Sequence, residues 1–230
     1  MFRRRSKRDS PEPVEADDPE TTESLDEPSA EARTEGPWDA DEVPDDGVAR
    51  LDLGGLRVPA TPDIELRVDA DQTGSVAGVV LIQAASTLAL GAFAAPRGQG
   101  IWDEVRADLL ETLRAEGAGG AERDGPFGPE LTATVTGPGG RQAARFVGID
   151  GPKWFLRGTF TGPAATNPEQ ARILEQALRD VVVSRGDGAL PVRGPLPLAL
   201  PTEVLEQATE ESGPAVPGMP RRGPEITEIR

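Results

Sequence analysis

The chain has 230 residues and a formal net charge of −16, and it contains no Cys, no His and no Tyr. Those absences exclude disulfides, thiolate catalysis, Cys- or His-ligated metal sites and every Ser-His-Asp arrangement, leaving carboxylates, Lys and the chain termini as acid–base groups. The overall acidity opposes general nucleic-acid binding by the whole chain, because phosphate is repelled.

The charge is unevenly spread. Residues 1–46 hold 16 acids against 6 bases, a net of −10, whereas residues 47–230 hold 24 acids against 18 bases, a net of −6. Residues 1–46 are rich in Glu, Asp, Pro, Ser and Thr and lack apolar periodicity, so they cannot bury enough surface to offset chain entropy and read as a disordered acidic arm. Within the arm a basic start, Arg3 to Arg8, precedes the acidic run. The opening MFRRRSKRDSPEP has no apolar stretch of the kind a secretory signal needs, which sets a cytoplasmic expectation.

A domain is expected over residues 47–203. Val48 to Leu53 and Leu56 to Val58 are short extended runs joined by Gly54-Gly55, a hairpin signal. Ile64, Leu66 and Val68 alternate with Glu65, Arg67 and Asp69 as a half-buried strand. Val76 to Ala95 is 20 residues without a charge, close to a bilayer-spanning length. Its centre, however, carries Gln83, Ser86 and Thr87 between two β-type runs, so a buried hairpin over 78–94 is expected and no stable membrane insertion. A helix is predicted from about Gly100 to Ala115, with Trp102, Val105, Leu109 and Leu113 on one stripe, Gly117 as its stop and a Gly-rich loop running on to Pro129.

A three-strand meander follows: 130–136, 141–149 and 153–161, with turns at Gly137-Pro138-Gly139-Gly140 and Asp150-Gly151-Pro152. With both turns symmetric, one face collects Leu131, Ala133, Val135, Ala144, Phe146, Trp154, Leu156 and Phe160 as an inward side. The other collects Thr132, Thr134, Arg141, Arg145, Lys153, Arg157, Thr159 and Thr161, with Val147 and Phe155. A second helix begins with Asn167 as cap and Pro168 at its first position and carries a Leu174, Leu178, Val181 stripe to a stop at Arg185-Gly186. The segment 190–201, LPVRGPLPLALP, is too rich in proline for a central strand or helix and is expected to cross the core surface as extended chain. Residues 204–230 read as a mostly flexible tail. The class is therefore α+β: an antiparallel sheet with helices packed on it, between disordered N- and C-terminal tails.

The glycine strings TGPGGR (136–141) and GAGGAERDGPFG (117–128) lack the Lys-Ser/Thr of a phosphate-cradling loop and read as turns. Asp103, Glu104, Asp108 and Glu111 lie on the first helix, and Glu104 and Asp108 are spaced to share a cation, but metal ligands usually converge from more than one element, so the group reads as a solvated helix face. No motif implies a cofactor and no ligand set implies a metal. The group that stands out is Arg141, Arg145, Lys153 and Arg157 with Phe155. On the symmetric register Arg145 faces Arg157, an unfavourable pairing that marks an anion-binding face, with Glu130 diagonal to it. A solvated basic face is the alternative. The anion would be RNA or a nucleotide stacking on Phe155, or the chain's own acidic arm in intramolecular contact.

GIWDEVR (100–106), DGPKWFLRG (150–158) and PLPLALP (195–201), after the MFRRR start and acidic arm, resemble an uncharacterised actinobacterial family known only as a domain of unknown function. The resemblance covers about residues 48–201 and brings no catalytic residue with it. It implies genes close to that of dUTPase and hence a housekeeping setting. The strand–helix order is more loosely similar to the Mog1/PsbP-like fold, whose members are mostly assembly or binding factors. The reading that emerges is a non-enzymatic cytoplasmic binding or regulatory module, with RNA or a protein as conceivable partner. Its alternatives are a carboxylate- or metal-dependent enzyme and a membrane-associated assembly factor.

Overall fold

A computed structural model of the chain describes residues 35–70, 75–137 and 139–201. The expectations for most of the acidic arm and for the C-terminal tail lie outside the described residues. The fold is α+β, built from antiparallel sheets and two α-helices, as the pattern of the sequence implies.

The chain enters as β1 (Trp38–Asp39), then forms β2 (Arg50–Asp52) and β3 (Leu56–Pro59). A meander follows: β4 (Glu65–Ala70), β5 (Val76–Gln83) and β6 (Ser86–Ala94). The uncharged stretch is thus the β5–β6 hairpin, and no helix among the described residues is long and apolar enough to cross a membrane. After α1 (Trp102–Ala115) come β7 (Ala121–Gly125), β8 (Gly128–Gly137), β9 (Gly140–Asp150) and β10 (Trp154–Thr161). A short 3₁₀ turn, Gly162–Ala165, leads to α2 (Pro168–Arg179) and β11 (Val182–Val183).

Seven strands form one sheet in the order β4-β5-β6-β10-β9-β8-β7, two meanders joined where β6 pairs antiparallel with β10. Its two faces follow from the strict alternation of the strands. On one face Leu88, Leu90, Leu156, Phe160 and Trp154 meet Leu174 and Leu178 of α2 and Leu53, Leu56 and Val58 of a second, four-stranded sheet, β1-β11-β3-β2. On the other, α1 lies against β8 and β9 and closes a smaller cluster of Ile101, Trp102 and Phe155. Both faces of the central strands are therefore covered, and an inward–outward division of the meander does not hold.

Three expectations are corrected. Residues 35–46 are part of the fold: Trp38–Asp39 pairs in parallel with Val182–Val183, Trp154 Nε1–H donates to Asp39 Oδ2 at 2.7 Å, and Arg179 pairs with Glu35 at 3.2 Å. Acidic composition hid a two-residue strand whose hydrogen bonds all come from a partner distant in sequence. Residues 121–125, expected as loop, form β7 because they pair along β8 from Ala121↔Thr132 to Gly125↔Gly128. The second helix stops at Arg179, not Arg185. Val181-Val182-Val183 are β-branched, lose rotamer freedom in a helix and gain sheet pairing on both sides from β1 and β3. Its start is as expected: Asn167 caps by accepting from the Glu169 N–H at 3.0 Å, and Pro168 opens the helix. The proline-rich segment is extended and bridges to Phe93, Gly54 and Ser75 in turn, crossing from the seven-stranded sheet to the β2–β3 hairpin.

Candidate functional site

Register decides which basic side chains meet. The β8–β9 hairpin pairs Thr136 with Arg141, as a symmetric turn requires. The β9–β10 hairpin does not turn on Gly151. The Gly151 N–H donates to the Trp154 carbonyl at 2.7 Å, so Pro152-Lys153 is the two-residue turn. Arg145 consequently sits opposite Phe160, three positions past Arg157, and Arg157 sits opposite Gly148. Three is an odd shift, so every β10 side chain changes face relative to β9.

The expected basic face is thereby dispersed. Arg141 is exposed at one end of β9, and Lys153 is exposed in the opposite turn. Arg145 is 2% exposed, under α2. Its Nη2 pairs with Glu175 Oε1 at 2.6 Å, its Nε lies 3.8 Å from Glu130 Oε2, and its guanidinium stands 4.1 Å over the Phe160 ring. Glu130, fully buried, also takes Arg123 at 3.3 Å. Burial pushes the Glu130 carboxyl up from its ordinary range, against the pull of Arg145 and Arg123. The diagonal Glu130–Arg145 relation read from the sequence is present, but as an internal chain of alternating charges, Arg123–Glu130–Arg145–Glu175, that ties α2 to the sheet.

Phe155 and Arg157 stay together, on the α1 face. Phe155 is 2% exposed and stacks between Phe93 (ring centroids 6.1 Å) and Trp102 (5.8 Å). It is closed to a stacking base, which corrects the RNA platform expected of it. Arginines cap both ends of this row: Arg157 lies 5.5 Å over Phe93 and Arg106 lies 5.8 Å over Trp102. Glycines make the packing possible. A Cβ on Gly148 would enter the Trp102 ring, and one on Gly91 would meet Phe93 Cε2 at 3.0 Å. Both cross-strand neighbours of Arg157 are glycine, Gly91 and Gly148, and the rings of Phe93 and Trp102 take the space over them.

A pocket of about 270 Å³ opens beside Arg157, between α1 and β10. Phe93, Ile101, Val105, Leu109 and Phe155 form its apolar walls, and Arg157, Asp108, Thr112 and Arg193 supply its polar points. The helix that forms one wall is held at its N-terminus by a distant cap: Asp150 Oδ1 accepts from the Ile101 N–H at 2.8 Å. Arg193 comes from the proline-rich strap, in a turn where its φ is +63° and the Gly194 N–H donates to the Pro191 carbonyl at 2.9 Å. Its guanidinium pairs with Glu104 and with Asp108, each at 2.9 Å. The hydrogen bond to Asp108 is the largest influence raising its pKa. The cation that Glu104 and Asp108 share is therefore Arg193.

Arg157 differs from all of these. It is half-buried, burial alone lowers its pKa, and among the described residues it has neither a hydrogen bond nor an ion pair. Sequence reasoning found Arg157 and Phe155 but missed Phe93 and Arg193. The four-residue spacing of Glu104 and Asp108 was the available signal, but it was read as a solvated helix face, which the Arg193 pairs correct. Lys153 instead lines a separate polar cleft of about 450 Å³ with Asp39, Arg185 and Asp187. Among the described residues no group of three or more carboxylates is placed to hold a metal ion.

Residues 36–207 match a family described as "Protein of unknown function (DUF3710)". No curated protein matches the chain. Among solved structures, the chain is similar to the cyanobacterial PsbP (CyanoP) of Synechocystis sp. PCC 6803, at 12% identity and a TM-score of 0.31, over 61% of this chain and 96% of that one.

Proposed function

The chain belongs to the DUF3710 family of proteins of unknown function, and we propose that it is a non-enzymatic binding or regulatory module that holds an anionic ligand at Arg157. The observation that carries this reading is the half-buried Arg157 guanidinium, unpaired among the described residues, in a pocket whose remaining wall is apolar except for Asp108, Thr112 and Arg193. Taking a cation out of water without a partner is costly, and proteins pair such groups unless a ligand does so. A concave, mostly apolar pocket with a few converging polar groups is the usual form of a small-molecule site. The reading includes a cytoplasmic location, in keeping with a chain that has no Cys to pair in an oxidising compartment.

The test is a thermal-shift screen of small anions on the full chain, its Arg157→Gln variant and an Arg141→Gln control. Anions are expected to raise Tm in the parent and in the control but not in Arg157→Gln, since ligand binding to the native state stabilises it by mass action. Equal shifts in all three would reject Arg157 as the anion holder.

A further inference from the structure

The polar geometry of the pocket says more about its occupant, granted the reading that Arg157 holds an anion. One guanidinium is available. Its planar fork matches one carboxylate with two parallel N–H···O bonds. The second guanidinium of the wall, Arg193, is already engaged by Glu104 and Asp108, each at 2.9 Å. Two carboxylates on one guanidinium leave this clasp with a net negative charge beside the pocket, and Asp108 itself lines the wall. A dianion feels twice the pull of Arg157 and twice the push of Asp108, but its desolvation cost grows with the square of its charge, so a single guanidinium beside Asp108 offsets a monoanion better than a dianion.

Size and lining narrow the body of the ligand. A volume of about 270 Å³ is at the small end of ligand cavities, which suits a small body held inside it. The walls offered to that body are the Phe93 and Phe155 rings and the aliphatic Ile101, Val105 and Leu109. The Thr112 hydroxyl donates to the Asp108 carbonyl at 2.9 Å, so it does not add a free donor for a phosphate.

We infer that the α1 pocket selects a small monoanionic carboxylate with an apolar or aromatic body over phosphate-bearing ligands, with Arg157 holding the carboxylate and Asp108 setting the preference. The ionic strap, Arg193 on Glu104 and Asp108, is then a selectivity element rather than a second anion holder.

Three probes with a common phenyl body separate the terms: phenylacetate, its isosteric neutral amide phenylacetamide, and phenyl phosphate, each titrated into the full chain and followed by NMR at the Arg157 side chain and the Phe93 and Phe155 rings. Phenylacetate is expected to move those signals and to bind at least about tenfold more tightly than either other probe, the scale of a charge-assisted pair. Arg157→Gln is expected to remove that advantage. Asp108→Asn is expected to improve phenyl phosphate binding by about tenfold relative to phenylacetate while leaving the phenylacetate shifts in place. Circular dichroism of each variant confirms that the fold is kept. If phenyl phosphate binds the parent as well as phenylacetate does, the carboxylate preference is wrong while Arg157 still stands as an anion holder. If no probe, charged or neutral, moves the Arg157 and Phe93 signals, both the preference and the anion site are overturned.

Discussion

Arg145 and Arg157 lie twelve positions apart in one β-meander and end on opposite faces of the same sheet, in opposite electrostatic conditions. On the α2 face Arg145 is buried with Glu175 at 2.6 Å, with Glu130 behind it and Phe160 beneath it. On the α1 face Arg157 has, among the described residues, only the Phe93 ring at 5.5 Å and a pocket in front of it. The two sites are built from one residue type and separated by hairpin parity, yet one is a tie within the core and the other an open valence. A buried charge whose partners come from the chain itself is structure; a buried charge left for something else to pair is a candidate site.

The sharpest way to break this contrast is to remove the paired arginine. Arg145→Met leaves Glu130 and Glu175 facing each other without their cation, and breaking a buried pair from one side costs about 3–5 kcal/mol. Urea unfolding followed by tryptophan fluorescence reads this directly. Replacing Arg145, Glu130 and Glu175 together by apolar residues of similar volume is expected to recover most of that loss, because the one charge left without its partner, Arg123, is exposed enough to be hydrated. A loss in Arg145→Met below about 1 kcal/mol would mean that the internal charges are hydrated, and the contrast with Arg157 would vanish.

The α1 face has its own weak point. Gly148→Ala places a methyl where the Trp102 ring lies, and overpacking of this kind costs about 1–3 kcal/mol. The expected outcome has a second part: α1 must shift to make room, so the pocket signals of Phe93 and Phe155 move although neither residue was touched. Unchanged ring signals would show that the helix does not set the pocket wall.

The internal charge chain also predicts a pH dependence. Burial holds the Glu130 carboxyl above its ordinary pKa. Between the unfolded value and this higher folded value the native state binds more protons than the unfolded state, so this group's contribution to stability falls as pH rises through that window. Glu130→Gln is expected to flatten that part of the stability–pH curve. The group nearest in kind but opposite in sign is Asp46, outside the core, whose carboxyl is held at about 2, first by the hydrogen bond from Arg50. Its contribution is present at neutral pH and lost as pH falls toward that value. Carboxyl-detected NMR titration separates the two, and a Glu130 midpoint at or below the ordinary glutamate value would remove the upward shift from the account.

How far the sequence reached is clearest in the meander. The alternation of Leu131, Ala133 and Val135 with Thr132 and Thr134, and the Gly-rich turn at 137–140, were enough to pair β8 with β9 in the observed register. The next turn defeated the same logic. The turn Asp150-Gly151-Pro152 reads as centred on Gly151, whereas the observed centre is Pro152-Lys153, in a register that buries Trp154 in the core with its Nε1–H donating to Asp39. That is a tertiary fact, absent from local preference. Once the centre moved, Arg145 passed to the α2 face, and the proposed group of Arg141, Arg145, Lys153, Arg157 and Phe155 separated. Phe155 and Arg157 kept their shared face because residues two apart on one strand always do. The Arg193 clasp was not legible: Glu104 and Asp108 read as a solvated helix face, and Arg193 arrives from a strap whose path is fixed by bridges to Phe93, Gly54 and Ser75, which no periodicity encodes.

The smallest expected effect is the most informative about function. Arg157→Gln removes a cation–π contact, worth about 0.5–2 kcal/mol, but it also removes a half-buried charge that has no ion-pair partner among the described residues. The two terms oppose each other, so stability is expected to change by less than about 1 kcal/mol, within the scatter of ordinary surface substitutions. The measurement is the same urea titration used for Arg145→Met, run in parallel so that both variants share one baseline and one m-value. A small change at Arg157 beside a large one at Arg145 is the pattern of a residue retained for a ligand rather than for the fold. A loss of 3 kcal/mol or more at Arg157 would place it among the structural charges, and the α1 pocket would then be a gap in packing rather than a binding site.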